Sequence, residues 1–200
     1  MKSASALLLS LVVGVACLAC QSAPPPLDVY GQAPDFQLTD QSGATFASTA
    51  LADHVTLLDF IYTRCTDACP VLSATFQATQ RKLQDDKALG SKVMLVSLSV
   101  DPQHDTPAVL ADYGQQFRAD TAGWKFLTGD WDAVYDVVTG FKVAVKPPRP
   151  AADAPPPGGT ELTHSTRVVV LDAQRQVRAY LDGQDVTPDD LVKAARQAMK

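Results

Sequence analysis

The chain has 200 residues, 46% of them hydrophobic and 20% charged, enough to enclose one core of ordinary size. Its formal net charge is −5 and its Lys and Arg form no cluster. That balance argues against nucleic acid as a partner, because phosphate contacts need concentrated positive charge.

The chain opens with "MKSASALLLSLVVGVACLAC", one lysine and then an apolar stretch from Ala6 to about Ala19. A membrane span takes ~20 apolar residues, so residues 1–20 read as an export signal. Cys20 closes the stretch behind Leu18 and Ala19 and resembles the acceptor of a bacterial lipoprotein cleavage box. Cys17 is the rival acceptor, and an ordinary secretory signal with incidental cysteines is the plainer alternative. The expectation is a protein exported to the periplasmic side and held to the membrane by a lipid on Cys20. Residues 21–32, "QSAPPPLDVYGQ", are polar and proline-rich and suit a short extended tether.

A domain spanning residues 33–200 follows. "APDFQLTDQSGATF" alternates and turns at "QSG", which predicts a hairpin. "HVTLLDFIY" is a β-rich, mostly apolar run, fit for a strand covered on both faces. Cys69 to about Lys87 reads as a helix, with Leu72, Phe76, Thr79 and Leu83 on one face and Pro70 in the first turn. "KVMLVSLSV" (92–100) is a second buried strand. Residues 105–117 form a helix capped by Asp105 or Thr106, with Pro107 in its first turn. "WKFLTG" is a short strand. "DWDAVYDVVTGF" is a helix whose inner side is expected to hold Trp131, Val134, Tyr135 and Val138. Prolines and small residues dominate from Lys146 to Gly159, so that stretch is a loop insertion. "TRVVVLDAQRQVRAYL" gives two strands around "AQRQ", and "TPDDLVKAARQAMK" a final helix capped by Thr187. This order predicts an α/β domain of thioredoxin-like type: a central mixed β-sheet flanked by helices, with an N-terminal hairpin and a Pro-rich loop insertion.

If Cys17 and Cys20 belong to the targeting segment, the domain keeps only Cys65 and Cys69, in "YTRCTDACP". An exported compartment permits disulfides. A bridge at i, i+4 closes so short a loop that it restricts the unfolded chain little, which weakens a purely structural role. The pair sits where a strand hands over to a helix, whose unpaired amides and positive end favour a thiolate. Arg64 adds charge if it faces the site. The two sulfurs share one side of the helix and can converge on one ion or oxidise to each other.

A metal would need a further ligand, and the chain has three histidines. His54 precedes the buried strand at the end opposite the cysteines. His104, in "DPQHDTP", lies at the correct end of the sheet but suits a solvated capping loop. His164, in "TELTHSTRVVV", ends the proline-rich insertion just before a strand and is the preferred third ligand. Two thiolates and an imidazole form a soft, low-coordinate set that suits Cu(I) and, with a weak added ligand, Cu(II). Zinc is the rival, but a structural zinc site wants four firm ligands. Asp101 is an axial contributor or simply a cap before Pro102.

The stretches "APDFQLTDQSG", "DFIYTRCTDACP", "LVSLSVDPQHDTP", "WKFLTGDWDAVYDVVTGFKV" and "THSTRVVVLD" occur in order and together resemble the Sco/SenC family from about Ala33 to the C-terminus. The resemblance implies a thioredoxin-like, membrane-tethered, exported domain that binds copper through Cys65, Cys69 and His164. It implies a copper chaperone for the binuclear copper centre of cytochrome c oxidase. Its partners would be a copper-receiving oxidase subunit or another copper chaperone. Thiol–disulfide reduction of a client's cysteines, through the redox pair Cys65 and Cys69, is the alternative activity. The chain departs from the family pattern at Thr163, where an acidic residue is usual, and in its long proline-rich segment. A peroxidase of the peroxiredoxin kind is disfavoured because Tyr62 stands where such enzymes carry Thr. Nothing in the sequence resembles a dedicated dimer surface, so a monomer is expected.

Overall fold

The computed structural model describes residues 27–146, 163–164 and 166–200, with 145, 146, 163 and 164 described as backbone alone. In chain order the strands and helices begin with β1 (Gly31–Gln32), β2 (Gln37–Asp40), β3 (Thr45–Ala47) and β4 (Val55–Ile61). Next come α1 (Ala68–Asp85), β5 (Val93–Ser99), α2 (Pro107–Gln116), β6 (Trp124–Thr128) and α3 (Trp131–Gly140). The chain continues with β7 (Val145–Lys146), β8 (Thr163–His164), β9 (Arg167–Leu171), β10 (Gln176–Asp182) and α4 (Pro188–Ala198). Eight strands form one sheet in the order β1-β10-β9-β4-β5-β6-β2-β3, and β7 pairs separately with β8.

β4, β5 and β6 run parallel, while β9 and β2 flank them antiparallel. The apolar runs explain this centre. Every residue of β4 and of β5 is buried, as strands with neighbours on both edges and helices on their faces require. The helix between β4 and β5 is the crossover that a parallel pair needs. Leu72, Phe76, Thr79 and Leu83 form the buried face of α1, as their spacing predicts. Phe76 packs on Trp124 at 5.9 Å, and Trp124 stacks on Phe126 at 5.0 Å. The Trp124 indole donates to Ser97 Oγ at 3.0 Å, so the largest buried side chain leaves no polar atom stranded.

The expected hairpin is β2–β3, with Gly43 at φ +83° in its turn. Thr106, not Asp105, caps α2 by accepting from the Val109 amide, and Thr187 caps α4. Three expectations shift. Ordered pairing begins before Ala33: Gly31 and Gln32 pair with β10, and the Arg178 guanidinium donates to the carbonyls of Leu27 and Asp28. The last six residues read as tether therefore join the fold. The inner face of α3 is Val134, Val137 and Val138, with Trp131 at its margin and Tyr135 exposed. The stripe runs through Val134, Val138 and Phe141, and Trp131 and Tyr135 line a shallow crevice beside Val100 at its edge. The bend between β9 and β10 begins one residue early, because the Asp172 carboxylate accepts the amides of Gln174 and Gln176 and closes the turn. The whole is the anticipated thioredoxin-like α/β arrangement. Among the described residues no helix is long and apolar enough to cross a membrane. The export signal with Cys17 and Cys20, and the insertion 147–159, lie outside the described residues.

Candidate metal centre

β4 ends at Ile61, and the chain reaches α1 through the irregular segment 62–67. Cys65 lies in that segment, half-buried; Cys69 is the second residue of α1 and is 2% exposed. Both are free thiols, and the Cys69 amide donates to Cys65 Sγ at 3.4 Å. The structure thus brings together the two sulfurs that the spacing pairs.

Their electrostatics differ. Burial works against a Cys65 thiolate, but the amides of Cys69 and Asp67, the Cys69 thiol and the Tyr62 hydroxyl outweigh it and hold its pKa below the usual thiol value. Burial pushes the Cys69 thiol well up, and its hydrogen bond to Cys65 adds to the shift. Tyr62 is pushed up to about 12, first by burial and then by its bond to Cys65. Of the two, Cys65 is therefore the sulfur that gives up its proton more readily. Arg64, which would add charge only if it faced the site, is not among the groups that lower the Cys65 pKa. Its guanidinium is committed to Asp101, with Nη2 at 2.6 Å and Nε at 3.2 Å from Oδ2.

His54 sits at the far end of β4, its Nδ1 2.9 Å from the Ala52 carbonyl oxygen, and stays away from the cysteines. His104 lies in the neighbouring β5–α2 loop, with Nδ1 3.0 Å from Asp105 Oδ1 and 3.5 Å from Thr63 Oγ1. Asp101, His104 and Asp105 bring ligand atoms within 4.8 Å of one another. Of His164 the structure gives backbone pairing with Val145 in β8; its side chain lies outside the described residues. Register nevertheless places its surroundings. Val168 of β9 is opposite Asp59 and Leu171 opposite Thr56, so the chain entering β9 does so at the end of the sheet where β4 leads to Cys65.

Sequence reasoning missed Tyr62 as a donor to Cys65, and it missed the buried polar groups beneath and beside the pair. Asp59, central in β4, and Asp105 are both wholly buried. Asp59 had one available signal, a carboxylate in the middle of a run covered on both faces. The bond from Thr63 to Asp105 joins residues 42 apart in sequence and leaves no local pattern.

The pattern of the SCO1/SenC family matches residues 28–200. The SCO1 protein homolog of Bacillus subtilis is 28% identical over 166 residues, covering 82% of this chain and 80% of that protein. The crystal structure of a SCO1/SenC family lipoprotein from Bacillus anthracis superposes with a TM-score of 0.72 at 27% identity, over 85% of this chain and 96% of that one. The copper-bound structure of ScoI from Bradyrhizobium japonicum gives 0.67 at 28% identity, over 84% and 97%.

Proposed function

Because the chain belongs to the SCO1/SenC family, we propose that it is a copper-binding metallochaperone whose ligands are Cys65, Cys69 and His164. The observation that carries this reading is the dithiol itself: two free cysteines held in contact where the central strand β4 hands over to α1, in a chain similar over most of its length to the copper-bound ScoI. Two sulfurs and an imidazole are the donors that Cu(I) prefers. The copper is cargo. Metal loading needs both sulfurs deprotonated: Cys65, with its pKa held down, gives up its proton more readily, and Cys69 gives up its own against the burial that raises it. Delivery is ligand exchange: a thiolate of the docked receiver bonds to the metal as a chaperone sulfur leaves and regains a proton. The receiver we infer is the binuclear copper centre of a cytochrome c oxidase subunit, or another chaperone on that route. Export to the periplasmic side and a lipid on Cys20 would keep the domain beside a membrane-bound client.

A second reading has its own support. The unequal thiols, one with its pKa held down and one with it pushed up, suit a thiol–disulfide reductase in which Cys65 attacks a client disulfide and Cys69 resolves the mixed disulfide.

Anaerobic Cu(I) titration of the reduced, copper-free chain against a competing chelator separates the two. Tight one-to-one binding, weakened at least tenfold by His164→Ala and more by Cys65→Ala, is the chaperone result. Weak binding, or binding indifferent to His164, rejects the three-ligand site and leaves the reductase.

A further inference from the structure

The geometry points to the β5–α2 loop as a clamp that sets the position of Cys65, with Asp105 as its centre. Cys69 needs no such device, since α1 and the core fix it at 2% exposure. Cys65 has neither helix nor strand around it. Its own amide closes a turn onto the Tyr62 carbonyl at 3.1 Å, and the two residues before it are both fastened to the neighbouring loop. Thr63 donates twice to Asp105, from its amide at 3.0 Å and its hydroxyl at 2.5 Å. Arg64 donates to Asp101.

Asp105 is wholly buried and accepts two further bonds, from Ser99 Oγ at 2.6 Å and His104 Nδ1 at 3.0 Å. Its own amide donates to the Asp101 carbonyl at 2.8 Å. A buried carboxylate is tolerated only while its lone pairs are answered. Half of the donors come from Thr63, so any drift of the cysteine loop strands a buried acceptor. The same bonds explain why Asp101, His104 and Asp105 do not make a cation site. Asp101 is answered by a guanidinium and Asp105 by four donors, so the cluster is already closed.

Asp105 and Thr63 are thus positioning residues: they act on the site through Cys65 and hold its sulfur within reach of Cys69. Only the copper readout below rests on the chaperone reading. Thr63→Val keeps the side-chain shape and loses the hydroxyl donor, whereas Thr63→Ser keeps the donor. The first measurement equilibrates the full chain with glutathione and its disulfide. Oxidised glutathione takes two electrons, one Cys65–Cys69 bond forms, and two glutathione thiols leave. The second is Cu(I) affinity. Loss of a hydrogen bond to a buried carboxylate is expected to make the Cys65–Cys69 disulfide and the copper complex each about tenfold less favourable in Thr63→Val. Thr63→Ser should stay within about twofold of the parent, and Asp105→Asn should lose at least as much as Thr63→Val. A Thr63→Val chain whose glutathione equilibrium matches the parent, or whose disulfide is more stable, overturns the clamp whatever copper does. A glutathione shift in Thr63→Val, together with a parent chain that binds no copper, upholds the clamp and rejects the chaperone reading.

Discussion

Asp59 and Asp105 are both wholly buried and differ in everything else. Asp105 has four donors; neither oxygen of Asp59 makes a hydrogen bond of normal geometry. Burial raises its pKa to about 7, with Ser97 nearby only softening the effect. Since the folded chain holds this proton more tightly than the unfolded one, stability falls as pH rises from about 4 to about 7 and then levels off. One pKa unit is worth about 1.4 kcal/mol, so the loss reaches a few kcal/mol at most. Asp59→Asn should therefore raise the urea midpoint of the copper-free chain at pH 8 and change it little at pH 4. A variant no more stable at pH 8 refutes the assignment. At this scale the sequence revealed residues whose type is rare. Cys65, Cys69 and His164 stood out because the domain has so few of either kind. Tyr62, Thr63 and Asp105 did not, since ordinary polar residues become part of a site only through contacts that folding creates.

The helices show where local signals suffice. α2 and α4 begin at threonines whose side chains accept from the first turn, and in α4 Asp190 completes a capping box with Thr187. Thr187→Ala should cost about 1 kcal/mol by chemical denaturation, while leaving the thiol reactivity of Cys65 unchanged. α1 is different. Its N-cap residue Asp67 makes no side-chain cap, and the amides of Asp67 and Cys69 turn to the Cys65 sulfur instead. The unfilled helix start is thus part of the dithiol site, and its absent cap was visible only once the backbone was known. β4 and β5 were legible because full burial demands unbroken apolar runs. β1 was not, because a two-residue strand has no period to read. On α3 the large aromatics drew the reading toward Trp131 and Tyr135, whereas the valines supply the buried stripe.

Across the whole molecule, strand–helix alternation announced the parallel centre, and the late strand pair announced the antiparallel flank. The sheet order was not written locally, since β9 inserts beside β4 only after the rest of the chain has turned back. That long-range pairing yields a test of the three-ligand site. Cys65 and Cys69 are neighbours in any conformation, so the unfolded chain offers both sulfurs too. His164 joins them only if the fold carries the β9 side of the sheet to the cysteine end. A ligand stabilises a protein only through its preference for the folded state. If two thiolates hold the metal alone, Cu(I) binds folded and unfolded chains almost equally and the melting temperature scarcely moves. If His164 contributes, a thousandfold preference would be worth about 4 kcal/mol, and at ~2–4 °C per kcal/mol for a domain this size the midpoint should rise by roughly 10 °C. Scanning calorimetry of the reduced chain with and without one equivalent of Cu(I) reads this directly. His164→Ala should keep less than about 3 °C of the rise, because it removes the one ligand that unfolding carries away. An equal rise in parent and variant would mean that the fold's preference for copper arises at the dithiol, and His164 would leave the ligand set.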